Sequence, residues 1–217
     1  MLLPALNSAR ERGRSASCAA KLKQIILADH MYASDNNDWL SYSVICIYGK
    51  LEDGGNNFGG VGKRSPCKPE LLITGGYLGK TQTKDDITPE LRDSLFKCPS
   101  DPNNCNTSWS SVPEITMSYI WIWSNRDSGS QASASYWNIQ GDSRGRFGRS
   151  RVGRDNPGFV IWGDVMPKLV PSGLGNHMKS ANVAYLGGHV KTMKTTPALS
   201  DVISSPGRYA YIFDELN

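Results

Sequence analysis

LLPALNSARERGRSASCAAKLKQI, residues 2–25, opens the chain as a single helix in two parts. Leu2, Leu3 and Leu6 make a short apolar stub, and Arg10, Glu11, Arg12 and Arg14 follow it. Cys18, Leu22, Ile25, Ile26 and Tyr32 then recur at the three-to-four residue spacing of one helix face, which predicts a helix packed on a core along one side and wet on the other. Pro4 has no amide hydrogen to donate, so it is tolerated only in the first turn or at a kink. Asp35, Asn36, Asn37 and Asp38 are turn-forming residues and are expected to end the helix. A helix of about thirty residues is implied, against a usual length of about 11 to 12. It reads as the lower half of a longer helix whose wholly apolar upper half lies ahead of it. Residues 1–34 are thus predicted to be the helix and residues 35–217 a β-rich head.

The head reads as short strands joined by long loops. Tyr119, Trp121 and Trp123 alternate with Ser118, Ile120 and Ile122, which suits a strand covered on both faces. Phe159 to Trp162 is a second apolar run. Asn182 to Leu186 and His189 to Met193 flank Gly187-Gly188, which predicts a hairpin with a two-residue primed turn, Leu186 opposite His189 and Tyr185 opposite Val190. A chain of 217 residues with 39% hydrophobic content can bury a real core, so one domain, or one with an elaborated insertion, is expected. It has no run of about 18 or more apolar residues, so no helix within it is predicted to cross a membrane.

These residues carry a family resemblance. LLPALNSARERGRSASCAAKLKQI followed by YASDNNDW is similar to the segment just after the membrane-embedded part of type IV pilin-like proteins, and most similar to pseudopilins of the general secretion pathway protein G kind. Phe96-Lys97-Cys98-Pro99-Ser100-Asp101 resembles that group's mid-chain Cys-Pro-Ser-Asp element, Met117-Ser118-Tyr119 its following strand, and Gly163-Asp164 a strand end. Asn176-His177, Asn182 and Gly187-Gly188-His189 resemble its motif of a His, nine residues, then Asp-Gly, with Gly187 standing where the group has Asp. If that Asp-Gly is only a tight turn, glycine replaces it without loss. The alternative, a metal-binding carboxylate, would mean a lost ligand.

The resemblance implies an α+β fold in which a long amino-terminal helix packs on an antiparallel β-sheet with long loops. It implies a structural, non-enzymatic subunit of a type II secretion or type IV pilus-like assembly. About twenty apolar residues would precede Leu2, follow a prepilin-peptidase site and anchor the subunit in the inner membrane or a filament core. The expected location is extracytoplasmic, in the periplasm or at the surface, and the expected partners are other pilin-like subunits. Leu3, Leu6, Leu22, Ile25 and Ile26 are the candidates for helix packing, in the filament or against the sheet. Without its upper half the chain is expected to be largely monomeric.

Five cysteines, at 18, 46, 67, 98 and 105, lack the short paired spacings of a zinc site. In an exported protein some would be oxidised, and an odd number leaves one thiol over or an intermolecular pair. Cys98 and Cys105 enclose a short loop, whereas Cys18 and Cys98 are the two that match the group's pattern. A Cys18–Cys98 bridge would tie the helix to the sheet. Buried or exposed thiols are the alternative.

Net charge is only +4, concentrated in the first helix and at Arg144, Arg146, Arg149, Arg151 and Arg154. The first cluster suits a helix leaving a bilayer with anionic headgroups. The second sits among Gly and Ser and reads as a solvated loop, with a partner-binding patch as the alternative; nucleic acid is not an expected partner. Asp164, His177 and His189 are the candidates should a zinc or iron site exist, though no helical spacing enforces it. His30, beside Asp29, reads as a polar surface position. Oxygen-rich Asp35 to Asp38 and Asp101 to Asn106 offer ligands to calcium, but Asx-turns explain them equally, so no cofactor is expected. Two other functions have footholds in the sequence. Trp109, Trp121, Trp123, Trp137 and Trp162 would make a glycan platform, but at strand spacing they read as core. Gly141-Asp142-Ser143-Arg144-Gly145 has the Gly-x-Ser-x-Gly form of a hydrolase elbow, with Asp164 and His177 after it, but Arg146, Phe147, Gly148, Arg149 and Gly153 make a poor helix to follow Ser143.

Overall fold

The computed structural model describes residues 2–41, 50–51, 68–79, 87–101, 105, 115–122, 151–167, 175–203, 209 and 212–215. Helix α1, Leu2–Asp35, comes first, with Pro4 in its opening turn, where its missing donor matters least. It ends as the polar cluster requires. The Asn36 and Asp38 amides both return to the Ala33 carbonyl (3.0 and 2.9 Å), and Asn37 and Asp38 take φ of 53° and 66°, the left-handed conformation that short polar residues tolerate.

The main sheet is antiparallel and its neighbours follow chain order: β3 (Tyr119–Trp121), β4 (Val160–Asp164), β5 (Ser180–Tyr185) and β6 (Val190–Lys194). A separate two-stranded pair joins β1 (Lys50–Leu51) to β2 (Ile115–Thr116). Short helices α2 (Lys68–Thr74), α3 (Pro89–Phe96) and α4 (Pro197–Val202) complete the described elements. Both α3 and α4 begin with a threonine side chain accepting an amide, followed by a proline in the first turn. The fold is therefore α+β, a long amino-terminal helix packed on an antiparallel sheet.

Both faces of the sheet are covered along β3, β4 and β5, while β6 is half exposed. Cys18, Leu22, Ile25 and Ile26 of α1 are buried with Tyr119, Trp121, Ile161, Trp162 and Leu186. On the opposite face Ile120, Val160, Val183 and Tyr185 meet Ile203, Tyr209 and Phe213 from the carboxyl-terminal stretch. The Tyr119 to Ile122 alternation supplies one residue to each layer in turn, and Trp123 lies outside the described residues. In β4 the alternation breaks: the register shifts between Val160 and Trp162, so Ile161 and Trp162 both join the helix-side core. This bulge lets the largest side chain in the core face α1, where the Trp162 Nε1 donates to Asp29 (3.0 Å). Lys21 fastens α1 to α3, donating to the carbonyls of Ser94 (2.8 Å) and Lys97 (2.9 Å) at that helix's carboxyl end. Burial lowers the pKa of its ammonium group.

The β5–β6 hairpin exists, but its register differs by one from the predicted one. Ala184 pairs with Val190, and Tyr185 with His189, whose rings stack 4.5 Å apart. The loop has three residues, Leu186 to Gly188, and only Gly188 is at positive φ (82°). Leu186 decides this register. Buried against α1, it is drawn out of the strand pairing, and its amide bonds to Phe159 O (2.7 Å) instead. Gly187 is thus not held by a left-handed angle; it is close to Pro157, which receives its amide (2.7 Å). His30 is not a free surface residue either, since its Nε2 bonds to Leu186 O (2.8 Å), while Lys23 Nζ donates to Gly188 O (2.5 Å). Asp29 is fully buried and accepts from Ser41 as well as Trp162.

Gly163 in β4 has no side chain because Tyr209 occupies the place: a Cβ there would overlap the Tyr209 Oη and ring. Gly163→Ala is expected to cost about 1–3 kcal/mol through overpacking. Urea unfolding checks this, and the loss should shrink in the Gly163→Ala/Tyr209→Phe double variant, where the offending hydroxyl is gone.

Candidate functional site

Residues of four of the resemblance motif segments, Cys98 to Asp101, Ser118, Asp164 and Asn176-His177 with Asn182, meet at one end of the sheet, against α1 between Glu11 and Cys18. Cys98-Pro99-Ser100-Asp101 is a β-turn with Pro99 at its second position, closed by the Asp101 amide on Cys98 O (2.9 Å). Ser118 fixes this turn to β3: its hydroxyl accepts the Cys98 amide (2.9 Å) and donates to Asp101 (2.5 Å). Cys98 is thereby aimed at α1, where it forms a disulfide with Cys18, their Cα atoms 5.3 Å apart.

Asp164, at the end of β4, is 1% exposed and holds the neighbouring strands in register. Its Oδ2 accepts both the amide and the side-chain Nδ2 of Asn182 (2.7 and 2.8 Å), and its Oδ1 accepts from Asn176 Nδ2 (3.1 Å). Asn182 reaches on to Ser15 O of α1 (3.3 Å) and accepts from Thr192 of β6 (2.7 Å). Asn176 also donates to Ser118 O (2.5 Å). Burial raises the pKa of Asp164, an effect opposed by His177 and by these amide donors.

His177 closes the arrangement. Its Nδ1 lies 2.7 Å from Glu11 Oε1 of α1, and its Nε2 is 3.4 Å from Cys98 Sγ and 3.7 Å from Asp164 Oδ2. The ring is almost wholly buried, while Glu11 is about half exposed and also accepts from Ser100 Oγ. Glu11, Ser15 and Cys18 are spaced four and three residues apart and so share one face of α1. From that face come the Glu11 carboxylate, the Ser15 carbonyl and the Cys18 sulfur that the site uses.

Not all of the sequence-predicted residues converge. Asp164 and His177 come together, but His189 does not join them. It lies at the far end of β5, half exposed, with Nε2 3.2 Å from Glu215. The separation is built in, because the residues between His177 and Gly187 include the whole of strand β5. Leu22, Ile25 and Ile26 pack on the sheet, whereas Leu3 and Leu6 are 74% and 64% exposed.

The other candidates divide between described and undescribed residues. Trp121 and Trp162 are buried core with centroids 5.5 Å apart, so they offer no platform to a sugar; Trp109, Trp123 and Trp137 lie outside the described residues. Arg151 and Arg154 stand over the Trp39 ring, Arg151 pairing with Asp38 and Arg154 with Asp155. Arg144, Arg146 and Arg149 lie outside the described residues, as do Cys46, Cys67 and the Ser143 elbow. The His177 Nε2, which a hydrolase would aim at its serine, is against the bridge sulfur. In the oxygen-rich segments, Asp35 accepts from Tyr77 Oη (2.9 Å), and Asp101 from Cys105 N and Ser118 Oγ. Cys105 keeps its thiol, donated to Asp93 (3.3 Å), and burial pushes its pKa up to about 12.

Sequence reasoning missed Glu11, Ser15 and Ser118 as members of this site. Helical spacing back from Cys18 was a usable signal for the first two, whereas Ser118 acts through partners 17 to 20 residues away and has no local signature. Comparison of the chain with family models, with curated proteins and with solved structures gives no match in any of the three.

Proposed function

We propose that this chain is the soluble part of a pilin-like subunit, a non-enzymatic component of a type II secretion pseudopilus or type IV pilus-like assembly. The observation that carries the reading is the division of α1. Every residue from Leu3 to Arg10 is exposed, Leu3 and Leu6 included, while Cys18 to Ala33 is sealed on the sheet along one face. An amino-terminal helix on an antiparallel sheet is compatible with pilin-like architecture. In that architecture the projecting helix would continue upward into an apolar segment, held in the inner membrane before assembly and among neighbouring helices afterwards. The buried Cys18–Cys98 bridge fits an oxidising, extracytoplasmic location. The loops of the head would face outward, where partners or cargo are met.

Two measurements test the proposal. The 217-residue chain should sediment as a monomer across concentrations, because its principal assembly surface would lie on the continuing helix. In the producing cells, the complete gene product carrying Leu6→Cys should give a ladder of multimers with a short bifunctional thiol reagent. A Leu3→Glu substitution in the same chain should erase the ladder. A tight, concentration-independent oligomer of the soluble chain, or the lack of any ladder, would overturn the assignment.

A further inference from the structure

We propose that Cys18, Cys98, Asp164 and His177 form a zinc site when the Cys18–Cys98 bridge is reduced. This does not rest on the filament reading. The four side chains are buried, and their donor atoms all lie within 4.8 Å of one another. Two thiolates, an imidazole nitrogen and a carboxylate oxygen make a four-coordinate donor set of the kind zinc takes, and the sulfurs disfavour calcium and magnesium. Zinc bonds of about 2.0–2.3 Å in tetrahedral array place donors about 3.3–3.8 Å apart. Two of the pairs that the bridge does not join already have that spacing: Cys98 Sγ to His177 Nε2 is 3.4 Å, and His177 Nε2 to Asp164 Oδ2 is 3.7 Å.

The surroundings are those of a supported ligand set. Glu11 is acceptor-only when ionised, so the hydrogen of a neutral His177 ring sits on Nδ1, and the Nε2 lone pair faces the sulfurs. A carboxylate behind the distal nitrogen of a histidine is the usual way of fixing a metal ligand's tautomer and orientation. Asp164 is likewise held in place by Asn176 and Asn182.

The chemistry balances with a dithiol as reductant. The dithiol gives two electrons and two protons to the bridge and becomes a disulfide itself, the Cys18–Cys98 sulfur–sulfur bond breaks, and two thiols result. Zinc then takes the place of both thiol protons, which pass to solvent as two sulfur–zinc bonds form. Bridge and metal would be alternative clasps between the same turn of α1 and the same end of the sheet.

The test uses the whole chain with Cys46, Cys67 and Cys105 changed to serine, so that only two thiols remain. It is reduced with a phosphine under anaerobic conditions and titrated with cobalt(II). Expected are one cobalt per chain, sulfur-to-cobalt charge transfer in the near ultraviolet, intense tetrahedral bands in the visible, and displacement by zinc. The oxidised chain should give none of these signals. His177→Ala should weaken cobalt binding more than about 100-fold, and Glu11→Gln, at a half-exposed position that threatens folding less, about tenfold. The proposal is overturned if the reduced chain gives no tetrahedral spectrum or unfolds in the presence of cobalt. It is equally overturned if Cys18→Ser keeps the spectrum, or if Glu11→Gln and a folded His177→Ala both bind as tightly as the parent.

Discussion

Replacing both Cys18 and Cys98 by alanine should lower the unfolding free energy of the metal-free chain by about 4.5 kcal/mol. The figure follows from the sequence separation of 80 between the two residues. Unbridged, the unfolded chain regains the freedom of that long loop, and the logarithmic dependence on length makes the gain large. Single domains are stable by only about 5–15 kcal/mol, so the loss would take a large share of the margin. Because the effect acts on the unfolded state, the slope of stability against urea should rise as the unfolded chain expands. Equilibrium urea unfolding of the double variant, in the presence of a chelator, measures both. A loss under about 1 kcal/mol would mean that the unfolded chain keeps its ends together without the bridge.

Asp164→Ala should cost about 3–5 kcal/mol, because each buried donor left without an acceptor costs about 1–3 kcal/mol. Three donors lose their acceptor at once: the Asn182 amide, Asn182 Nδ2 and Asn176 Nδ2. They join β4 to β5 and both to the residue preceding His177, so the loss should appear as global destabilisation rather than local fraying. The pH dependence has a defined sign. Burial raises the folded-state pKa of Asp164 above its unfolded value, so its contribution to stability is complete below the ordinary carboxylate pKa of about 3.9 and declines as pH rises through the folded value. The margin of the wild type over Asp164→Asn should therefore narrow from about pH 4 upward. A margin that widened instead would mean that the amide donors, not burial, dominate this carboxyl.

How far the sequence could be read depended on the range of the interactions involved. The α1 stripe was legible because helical spacing is local: Cys18, Leu22, Ile25 and Ile26 share a face whatever they pack on, and all four are buried. The hairpin was legible as a hairpin, but Gly187-Gly188 suits a two-residue or a three-residue loop equally, and the choice was made by Leu186 packing on a helix some 160 residues earlier. The buried Asp29 was illegible for the same reason, its indole partner being 133 residues away. The motif residues Cys98 and Asn182 were marked by resemblance, Asp164 and His177 also by their ligand chemistry, and no spacing between the four announces that they touch. Of the three metal candidates, Asp164 and His177 come together and His189 does not. The strand β5 separates His189 from the other two, and the sulfurs that lie beside them belong to residues that no spacing links to the pair.

The position of Cys18 along α1 has a mechanical consequence. Tension applied to the projecting end of the helix meets a covalent link at residue 18 before it reaches the apolar seam that runs from Leu22 to Ala33. The load passes through Cys98 into the turn and β3, so the seam is not peeled open from its near end while the link holds.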